Sequence, residues 1–236
     1  MQVRELHSWQ VSPREAQATQ KRLAGLVSRT NELASPRFIA GVDISPRGRL
    51  GTGTGIGAVV VLSYPHLTVV EVRTIEQRID FPYVPGLLSF REAPLILSAC
   101  HKLTTVPDLV LVDGQGIAHP RRFGLASHLG LLLDRPTIGC AKSLLCGEHD
   151  LVPESPGGFA EIRDGGNVIG AALRTKAAVK PVYVSIGHRV DLDSAISWVM
   201  GCCRGYRLPE PTRLAHLAAS GHMPGREAEL QRVGLI

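Results

Sequence analysis

Residues 109–122 read Leu109-Val-Leu-Val-Asp-Gly-Gln-Gly-Ile-Ala-His-Pro-Arg-Arg122, a run of branched apolar residues followed by a carboxylate, two glycines and a histidine. Leu109 to Val112 has the pattern of a buried strand, and Asp113 lies at its carboxyl end. An ionised carboxylate beside a core strand is costly unless a cation or hydrogen bonds compensate it. Asp113 is therefore either a cap for the following turn or part of a functional site, and this segment alone does not decide between them.

A second carboxylate, Asp43, lies within the apolar strand that we predict over residues 38–45. Because side chains alternate along a strand, Asp43 shares a face with Gly41 and Ile39. Short turns lead from this strand to two more, at 57–63 and 67–77, which favours an antiparallel meander.

The predicted order of elements is that of a ribonuclease H-like core. The three meander strands are followed by a helix over 89–102 and by the strand at 109–112, which can lie parallel beside the first strand. We therefore predict an α/β fold with a mixed central sheet flanked by helices. In this fold Asp43 and Asp113 face each other, and Glu92 approaches from the helix.

The rest of the chain supplies further helices and strands. A serine cap and Pro13 open a helix that we extend to about Leu33, and Ser89 and Glu92 have the spacing of a capping box. The Asp-Gly-Gly-Asn turn at 164–167 predicts a hairpin. The other predicted strands lie at 136–141, 160–163, 168–174 and 182–186, and the other helices at 124–133, 191–203 and 211–220.

The composition is that of a folded protein with a moderate basic excess. The 236 residues are 44% hydrophobic, carry a formal net charge of +5 and have a pI of about 9.1, which is compatible with a polyanionic partner. We predict one domain over 1–236, with a frayed tail over 221–236, and we expect a monomer.

Several classes of protein are disfavoured. The five cysteines are odd in number and lack Cys-x-x-Cys spacing, so they indicate free thiols in a reducing compartment and not a disulfide framework or a zinc site. Residues 1–10 lack a signal region and no apolar run approaches the roughly 20 residues that span a bilayer, so we expect a soluble cytoplasmic protein without a membrane partner. The glycine run at 51–57 lacks the spacing of a nucleotide loop and favours a flexible strand start.

Asp43, Asp113 and Glu92 together indicate a metal site. Taken singly, each could be a cap or a surface ion pair, and for Glu92 alone that alternative is the stronger one. Three carboxylates in a small space repel one another unless divalent cations are present, and oxygen ligands suit Mg²⁺ or Mn²⁺. Such a metal can generate hydroxide and neutralise charge on a cleaved phosphodiester.

Lys142 and His216 have two interpretations each. Lys142 follows an apolar strand, where it is either a solvated side chain or a phosphate contact in the same cleft. His216 lies among apolar neighbours in a predicted helix, where a histidine is usually packed. A carboxylate metal site would instead use it to orient or deprotonate water.

These residues and their surroundings resemble the endonuclease V (deoxyinosine 3′-endonuclease) family. The resemblance extends from about Ala34 to Ser220, and its motifs are specific in order and spacing. They are Gly41-Val-Asp-Ile44, Pro82-Tyr-Val-Pro-Gly-Leu-Leu-Ser-Phe-Arg-Glu92, Val112-Asp-Gly-Gln-Gly116, Ala118-His-Pro-Arg121, Ala126-Ser-His-Leu-Gly130, Pro136-Thr-Ile-Gly139, Ala141-Lys142, Thr212-Arg213 and Ala215-His216.

The resemblance implies a catalytic centre. Asp43 and Asp113 would ligate Mg²⁺, for which Mn²⁺ substitutes. Glu92 and His216 would complete the centre, and Lys142 would stabilise the phosphate under attack.

The resemblance also implies a lesion-reading surface. The wedge that separates DNA strands is Pro82, Tyr83, Val84 and Pro85, with Tyr83 stacking where the displaced base had been. A pocket for the flipped hypoxanthine would be lined by residues that include glycines, since a backbone approaches a base closely only without a side chain. Its implied residues are Gly86, Leu88, Gly116 and Gly139, with His119 nearby.

The activity implied by the resemblance is DNA repair. The protein would recognise deoxyinosine in DNA and hydrolyse the second phosphodiester bond 3′ to it, leaving a 3′-hydroxyl and a 5′-phosphate. An inosine-specific endoribonuclease is an alternative, since no residue separates DNA from RNA. Two further alternatives are disfavoured. A different ribonuclease H-like nuclease would need neither the wedge nor the base pocket. A non-catalytic inosine-binding protein would have no use for three acids that repel one another.

Overall fold

The structure of the protein, a computed structural model, describes residues 1–47 and 53–223. These residues form helix α1 (Pro13–Ala24), strands β1 (Phe38–Arg47), β2 (Thr54–Ser63) and β3 (Val69–Arg78), helix α2 (Leu88–His101), strand β4 (Leu109–Val112), helix α3 (Leu125–Leu133), strands β5 (Thr137–Ala141), β6 (Phe159–Asp164), β7 (Asn167–Leu173) and β8 (Val182–His188), and helices α4 (Leu192–Gly201) and α5 (Glu210–Ser220). Part of the predicted short turn between the first two strands, the first part of the glycine run and the tail beyond Met223 lie outside the described residues.

The described strands join in one mixed sheet with the order β3-β2-β1-β4-β5-β8-β7-β6. Strands β1, β2 and β3 form the antiparallel meander that the short turns predict. Strand β4 lies parallel to β1 on one side and to β5 on the other. The predicted α/β fold, a mixed sheet flanked by helices, is therefore confirmed.

Helices cover both faces of this sheet, so its central strands are buried on two sides. On one face Ile96 of α2 shares a hydrophobic cluster with Val42 of β1. On the other face Leu214 of α5 shares a cluster with Ile39 of the same strand. Burial on both sides explains why β1 and β4 read as nearly continuous apolar runs.

Helix α1 is shorter than its predicted extent. It ends at Ala24, with Gly25 as its C-cap, and not near Leu33. In the segment that follows, the Asn31 side chain accepts a hydrogen bond from the backbone N–H of Leu33 at 3.2 Å. Such bonds from side chain to backbone compete with helical ones, which is why the apolar pattern continues here without a helix.

The predicted capping box at the start of α2 is wrong. Leu87 is the N-cap, and it makes no side-chain capping bond. Glu92 lies beyond the first turn of the helix that Leu88 opens. The side chains of Ser89 and Glu92 therefore do not cap the helix.

Helix α1 packs against the segments that precede α2 and α3. Its Ala16 clusters with Phe81 and Leu87, and its Leu23 with Phe123. Among the helices of the described residues, none is both long and apolar enough to cross a bilayer.

Candidate active site

Two aspartates lie where the parallel pairing of β1 with β4 ends. Val42 of β1 is paired with Val112 of β4, so Asp43 and Asp113, the next residue on each strand, lie side by side. The backbone N–H of Asp113 donates to the Val42 carbonyl at 3.5 Å. Their side chains are 13% and 9% exposed, so both carboxylates are largely withdrawn from water yet remain accessible.

Helix α5 brings His216 to the first of these acids. Gly41 makes this approach possible, because a Cβ atom there would lie 1.8 Å from the Pro211 carbonyl oxygen at the start of the helix. The His216 Nδ1 is 2.7 Å from Asp43 Oδ2. Since the His216 side chain is half exposed, the alternative of a packed core histidine is wrong.

Lys142 reaches the second acid. It directly follows β5, which is paired with β4, and its Nζ lies 2.5 Å from Asp113 Oδ2. The alternative of a freely solvated lysine is therefore wrong. Each carboxylate of the pair has one basic side chain beside it.

Glu92 approaches the pair from α2, and its ionisation reflects that position. Burial, and then the charges of Asp43 and Asp113, raise the pKa of Glu92 from its ordinary value of 4.5 to about 8. Burial and the charge of Asp113 also raise the pKa of Asp43. These directions reflect burial and the mutual repulsion of three acids, which Lys142 and His216 offset only in part at Asp43.

The donor set fits a hard divalent cation that keeps part of its water. In the ranges 1–47 and 53–223, no three His, Cys, Asp or Glu side chains are placed so that together they could hold a metal ion. Mg²⁺ does not need three such ligands, because it binds through one or two carboxylates together with waters and substrate phosphates. Two adjacent, partly exposed carboxylates meet that requirement, with Asp43 and Asp113 as the candidate ligands.

A short irregular segment before α2 carries the predicted wedge, and it is fixed at both ends. At its start the Phe81 carbonyl accepts a hydrogen bond from the buried Arg91 at 2.9 Å. At its end the Gly86 carbonyl accepts from Gln20 at 3.0 Å and from Arg121 at 2.7 Å. Between these anchors Tyr83 projects with 58% of its surface exposed.

His119 is a third donor to the Gly86 carbonyl. Its Nδ1 accepts from the Arg121 backbone N–H at 3.1 Å, and its Nε2 lies 3.0 Å from the Gly86 oxygen. Burial, and then the charge of Arg121, lower the pKa of His119 to about 4. The ring is therefore neutral at pH 7, with its proton on Nε2. Gly86 itself has a φ of +77°, in the left-handed region that favours glycine.

A cavity of about 150 Å³ lies behind the wedge. Predicted site residues form much of its wall, namely Tyr83, Val84, Pro85, Gly86, Leu88 and His119. The remaining lining residues are Gln20, Ser89, Gln115, Gly124, Leu125 and Leu145.

Pro82, Gly116 and Gly139 are not among the lining residues of this cavity. The two glycines instead allow backbones to pack closely beneath it. A Cβ at Gly116 would lie 1.9 Å from the Ile186 carbonyl oxygen, and one at Gly139 would lie 2.5 Å from the Gly116 nitrogen. In this structure they support the loop after β4.

Sequence reasoning missed several residues of this region. Gln20 is buried on α1 at a position where the spacing of Ala16 and Leu23 predicts an apolar residue. A polar residue at such a position indicates a specific buried contact, so the sequence did contain a sign of its role. Gln115 and Arg121 lie inside two of the family motifs, but the resemblance implies no role for either side chain. Leu145 gave no signal, because it reaches the cavity from a segment without regular structure.

Comparison with known proteins gives one consistent result. A sequence model described as endonuclease V matches residues 21–217. The endonuclease V of Gloeobacter violaceus is 54% identical over 212 residues, which are 89% of this chain and 86% of that protein. The crystal structure of endonuclease V from Streptomyces avermitilis superposes with a TM-score of 0.85 at 40% identity, covering 97% of this chain and 100% of that one.

A further relative was crystallised with nucleic acid. The endonuclease V of Ciona intestinalis, in complex with a 24mer DNA containing an inosine followed by a ribo-adenosine, has a TM-score of 0.76 and 28% identity. The alignment covers 93% of this chain and 98% of that one.

Proposed function

The chain belongs to the endonuclease V family, and from this premise we propose that it is a Mg²⁺-dependent DNA repair endonuclease that recognises deoxyinosine. It hydrolyses the second phosphodiester bond on the 3′ side of the lesion and leaves a 3′-hydroxyl and a 5′-phosphate.

One observation supports this proposal above the others: two short elements each link the carboxylate pair to the cavity. On the loop after β4, Asp113 belongs to the pair and Gln115 lines the cavity. On α2, Leu88 lines the cavity and Glu92 is electrostatically coupled to both aspartates. A base held in the cavity would therefore have its own strand close to the acids, as a lesion-directed cut requires.

The residues around the two aspartates would have separate roles in the hydrolysis. Asp43 and Asp113 would hold the cation. When bound, Mg²⁺ supplies Lewis-acid polarisation of the phosphate and lowers the pKa of a bound water. Lys142, whose ammonium already lies against the pair, would place its positive charge beside the attacked phosphate.

His216 is suited to handle the proton of the attacking water. Its Nδ1 faces the Asp43 carboxylate, which accepts a hydrogen bond, so in the neutral ring the Nε2 carries a lone pair. That nitrogen is the candidate general base, and the partly exposed side chain leaves it open to solvent. Glu92, on the opposite side of the pair, would orient the same water.

The wedge would open the duplex at the lesion. Tyr83 is exposed between two anchored positions, so it can insert into a base step without losing much conformational freedom. Removing a base from the stack costs a few kcal/mol, and stacking on an aromatic ring offsets part of that cost.

The complex of the Ciona relative supports inosine recognition, and its ribo-adenosine favours a second candidate. A ribonucleotide directly after the inosine is the arrangement expected of an enzyme that cuts RNA bonds. An inosine-specific endoribonuclease built on the same site is therefore the alternative activity.

Matched oligonucleotides separate these activities. We would incubate the protein and Mg²⁺ with end-labelled DNA and RNA of one sequence, each containing inosine or adenosine at one position. The proposal expects a single cut in the inosine DNA, between the first and second nucleotides on the 3′ side of the lesion. Faster cutting of the inosine RNA would establish the endoribonuclease, and inosine-selective binding without any cut would establish a binding protein.

A further inference from the structure

Two residues that line the cavity behind the wedge each have a buried polar side-chain atom with no hydrogen-bond partner within residues 1–47 and 53–223. The atoms are Ser89 Oγ and Gln115 Oε1. The two residues are only 2% and 8% exposed. Buried polar atoms are normally paired, and leaving one unpaired costs free energy that a ligand can restore.

The orientation of the Gln115 amide is determined by its surroundings. Its Nε2 donates to the Ser143 carbonyl oxygen at 2.9 Å. Exchanging the amide oxygen and nitrogen would place two acceptors against each other, so the free atom is the oxygen. The cavity therefore contains an acceptor that requires a donor on the ligand.

Ser89 Oγ is the complementary group. A hydroxyl can donate as well as accept, and this one makes no capping bond despite its place at the start of α2. The cavity thus presents one obligate acceptor from the loop after β4 and one available donor from α2.

The other polar side chains buried in this wall are already engaged. Gln20 donates to the Gly86 and Phe123 carbonyls and accepts from Arg121. His119 Nε2 is directed at the Gly86 carbonyl. Ser89 and Gln115 are therefore the buried side chains of the cavity wall that remain available to a ligand.

We propose that Ser89 and Gln115 read the Watson–Crick edge of the flipped base. Gln115 Oε1 accepts a hydrogen bond from N1–H of hypoxanthine, and Ser89 Oγ donates one to the adjacent keto oxygen. Adenine presents the opposite pattern, a bare N1 acceptor beside an amino group. Its N1 would face the Gln115 oxygen, acceptor against acceptor, whereas the Ser89 hydroxyl can turn to accept from the amino group. This inference rests on the proposed function and names the specificity-determining residues of its lesion site.

The test compares inosine selectivity in variants with matched packing changes. Ser89→Ala removes the proposed donor, and Gln115→Met keeps the length of the side chain but removes the acceptor. Ser127→Ala is the control, because Ser127 Oγ is equally buried and unpartnered among the described residues but does not line the cavity. Single-turnover nicking is measured with Mg²⁺ on DNA that carries deoxyinosine, deoxyadenosine or deoxynebularine, a purine without the keto oxygen and the N1 proton.

Gln115→Met should lower the inosine-to-adenosine rate ratio by about tenfold, the change expected from one hydrogen bond to a buried group. Ser89→Ala should lower the inosine-to-nebularine rate ratio by a similar factor, because nebularine offers nothing at C6 for the hydroxyl to bind. The wild-type protein should lose rate from inosine to nebularine, and the loss should be smaller in Ser89→Ala and Gln115→Met. Ser127→Ala should leave both ratios unchanged. Because Ser89 Oγ has no partner to lose within the described residues, Ser89→Ala should also keep the wild-type unfolding temperature.

A wild-type protein that prefers inosine, together with variants whose rate ratios equal that of the control, would overturn this inference and leave the proposed function intact. A wild-type protein that nicks inosine and adenosine DNA equally would overturn the proposed function and the inference with it. The nebularine series on the wild-type protein tests, without any substitution, whether the keto oxygen and the N1 proton are read at all, and an equal rate on inosine and nebularine would also overturn the inference.

Discussion

The protonation of Glu92 depends on its burial and on two acidic neighbours. Its carboxyl group has a raised pKa of about 8 because the side chain is partly buried and faces two other acids. The pKa of such an acid is higher in the folded protein than in the unfolded protein. Its contribution to the free energy of unfolding is fully present at pH values below the unfolded-state pKa, and it is lost as the pH rises through the folded-state pKa. The relevant window is therefore from about pH 4.5 to about pH 8.

Glu92→Gln should remove this pH dependence when divalent ions are absent. In EDTA, the free energy of unfolding of the wild-type protein should fall between pH 5 and pH 8 relative to the variant, by about 2 kcal/mol, because solvent reaches part of the side chain and reduces the full linkage value. Urea unfolding at both pH values measures this difference. The exposed Glu154→Gln serves as control, and parallel pH curves for wild type and Glu92→Gln would contradict the account.

Among the elements, the contact of β1 with α5 determines whether His216 meets Asp43. Gly41→Ala would place a methyl group 1.8 Å from the Pro211 carbonyl oxygen, a backbone atom that cannot rotate away. We expect a loss of about 3 kcal/mol in the free energy of unfolding, together with slower nicking. Gly25→Ala is the control, since its nearest neighbour would be 3.9 Å away. Urea unfolding that gives equal stabilities for the two variants would show that the helix does not dock as described.

The wedge is the second element whose role can be tested. Tyr83→Ala should lower the preference for inosine over undamaged DNA by about tenfold, the effect of one lost stacking partner. Binding measured at a fixed salt concentration checks this, because phosphate contacts alone vary strongly with salt. Phe159→Ala, an exposed aromatic on the edge strand β6, should have no effect. An unchanged preference in Tyr83→Ala would exclude a stacking role.

The strands and the acid pair could be predicted from sequence because their signals are local and periodic. Asp43 and Asp113 each interrupt or end an apolar run, and a parallel pairing of those runs places them together. The end of α1 could not be predicted, because apolar Val27 and Leu33 continue the helical pattern while packing from a loop. Gln20, Ser89 and Gln115 converge on the cavity from three separate segments, and no single-segment pattern reports such an arrangement.

At the scale of the whole molecule, helices from both faces of the sheet contribute to one site. The helices α2 and α5 lie on opposite faces, yet Glu92 of α2 and His216 of α5 both approach the acids at the junction of β1 and β4. The loop after β4 then continues from the acids into the cavity wall. This arrangement makes base recognition and bond cleavage depend on one short stretch of backbone.

The most direct test of the whole account is single-turnover nicking of deoxyinosine duplex DNA in Mg²⁺ by wild-type protein, Asp43→Asn and Asp113→Asn. Both variants should lower the nicking rate constant by at least about 1,000-fold, on the order of 4 kcal/mol of lost transition-state stabilisation. Their affinity for the inosine DNA should stay close to that of the wild type, because the cavity and wedge are unchanged. The exposed Asp150→Asn should behave as wild type in both measurements. Nicking by Asp43→Asn or Asp113→Asn at the wild-type rate would contradict the assignment of the acid pair as the catalytic metal site.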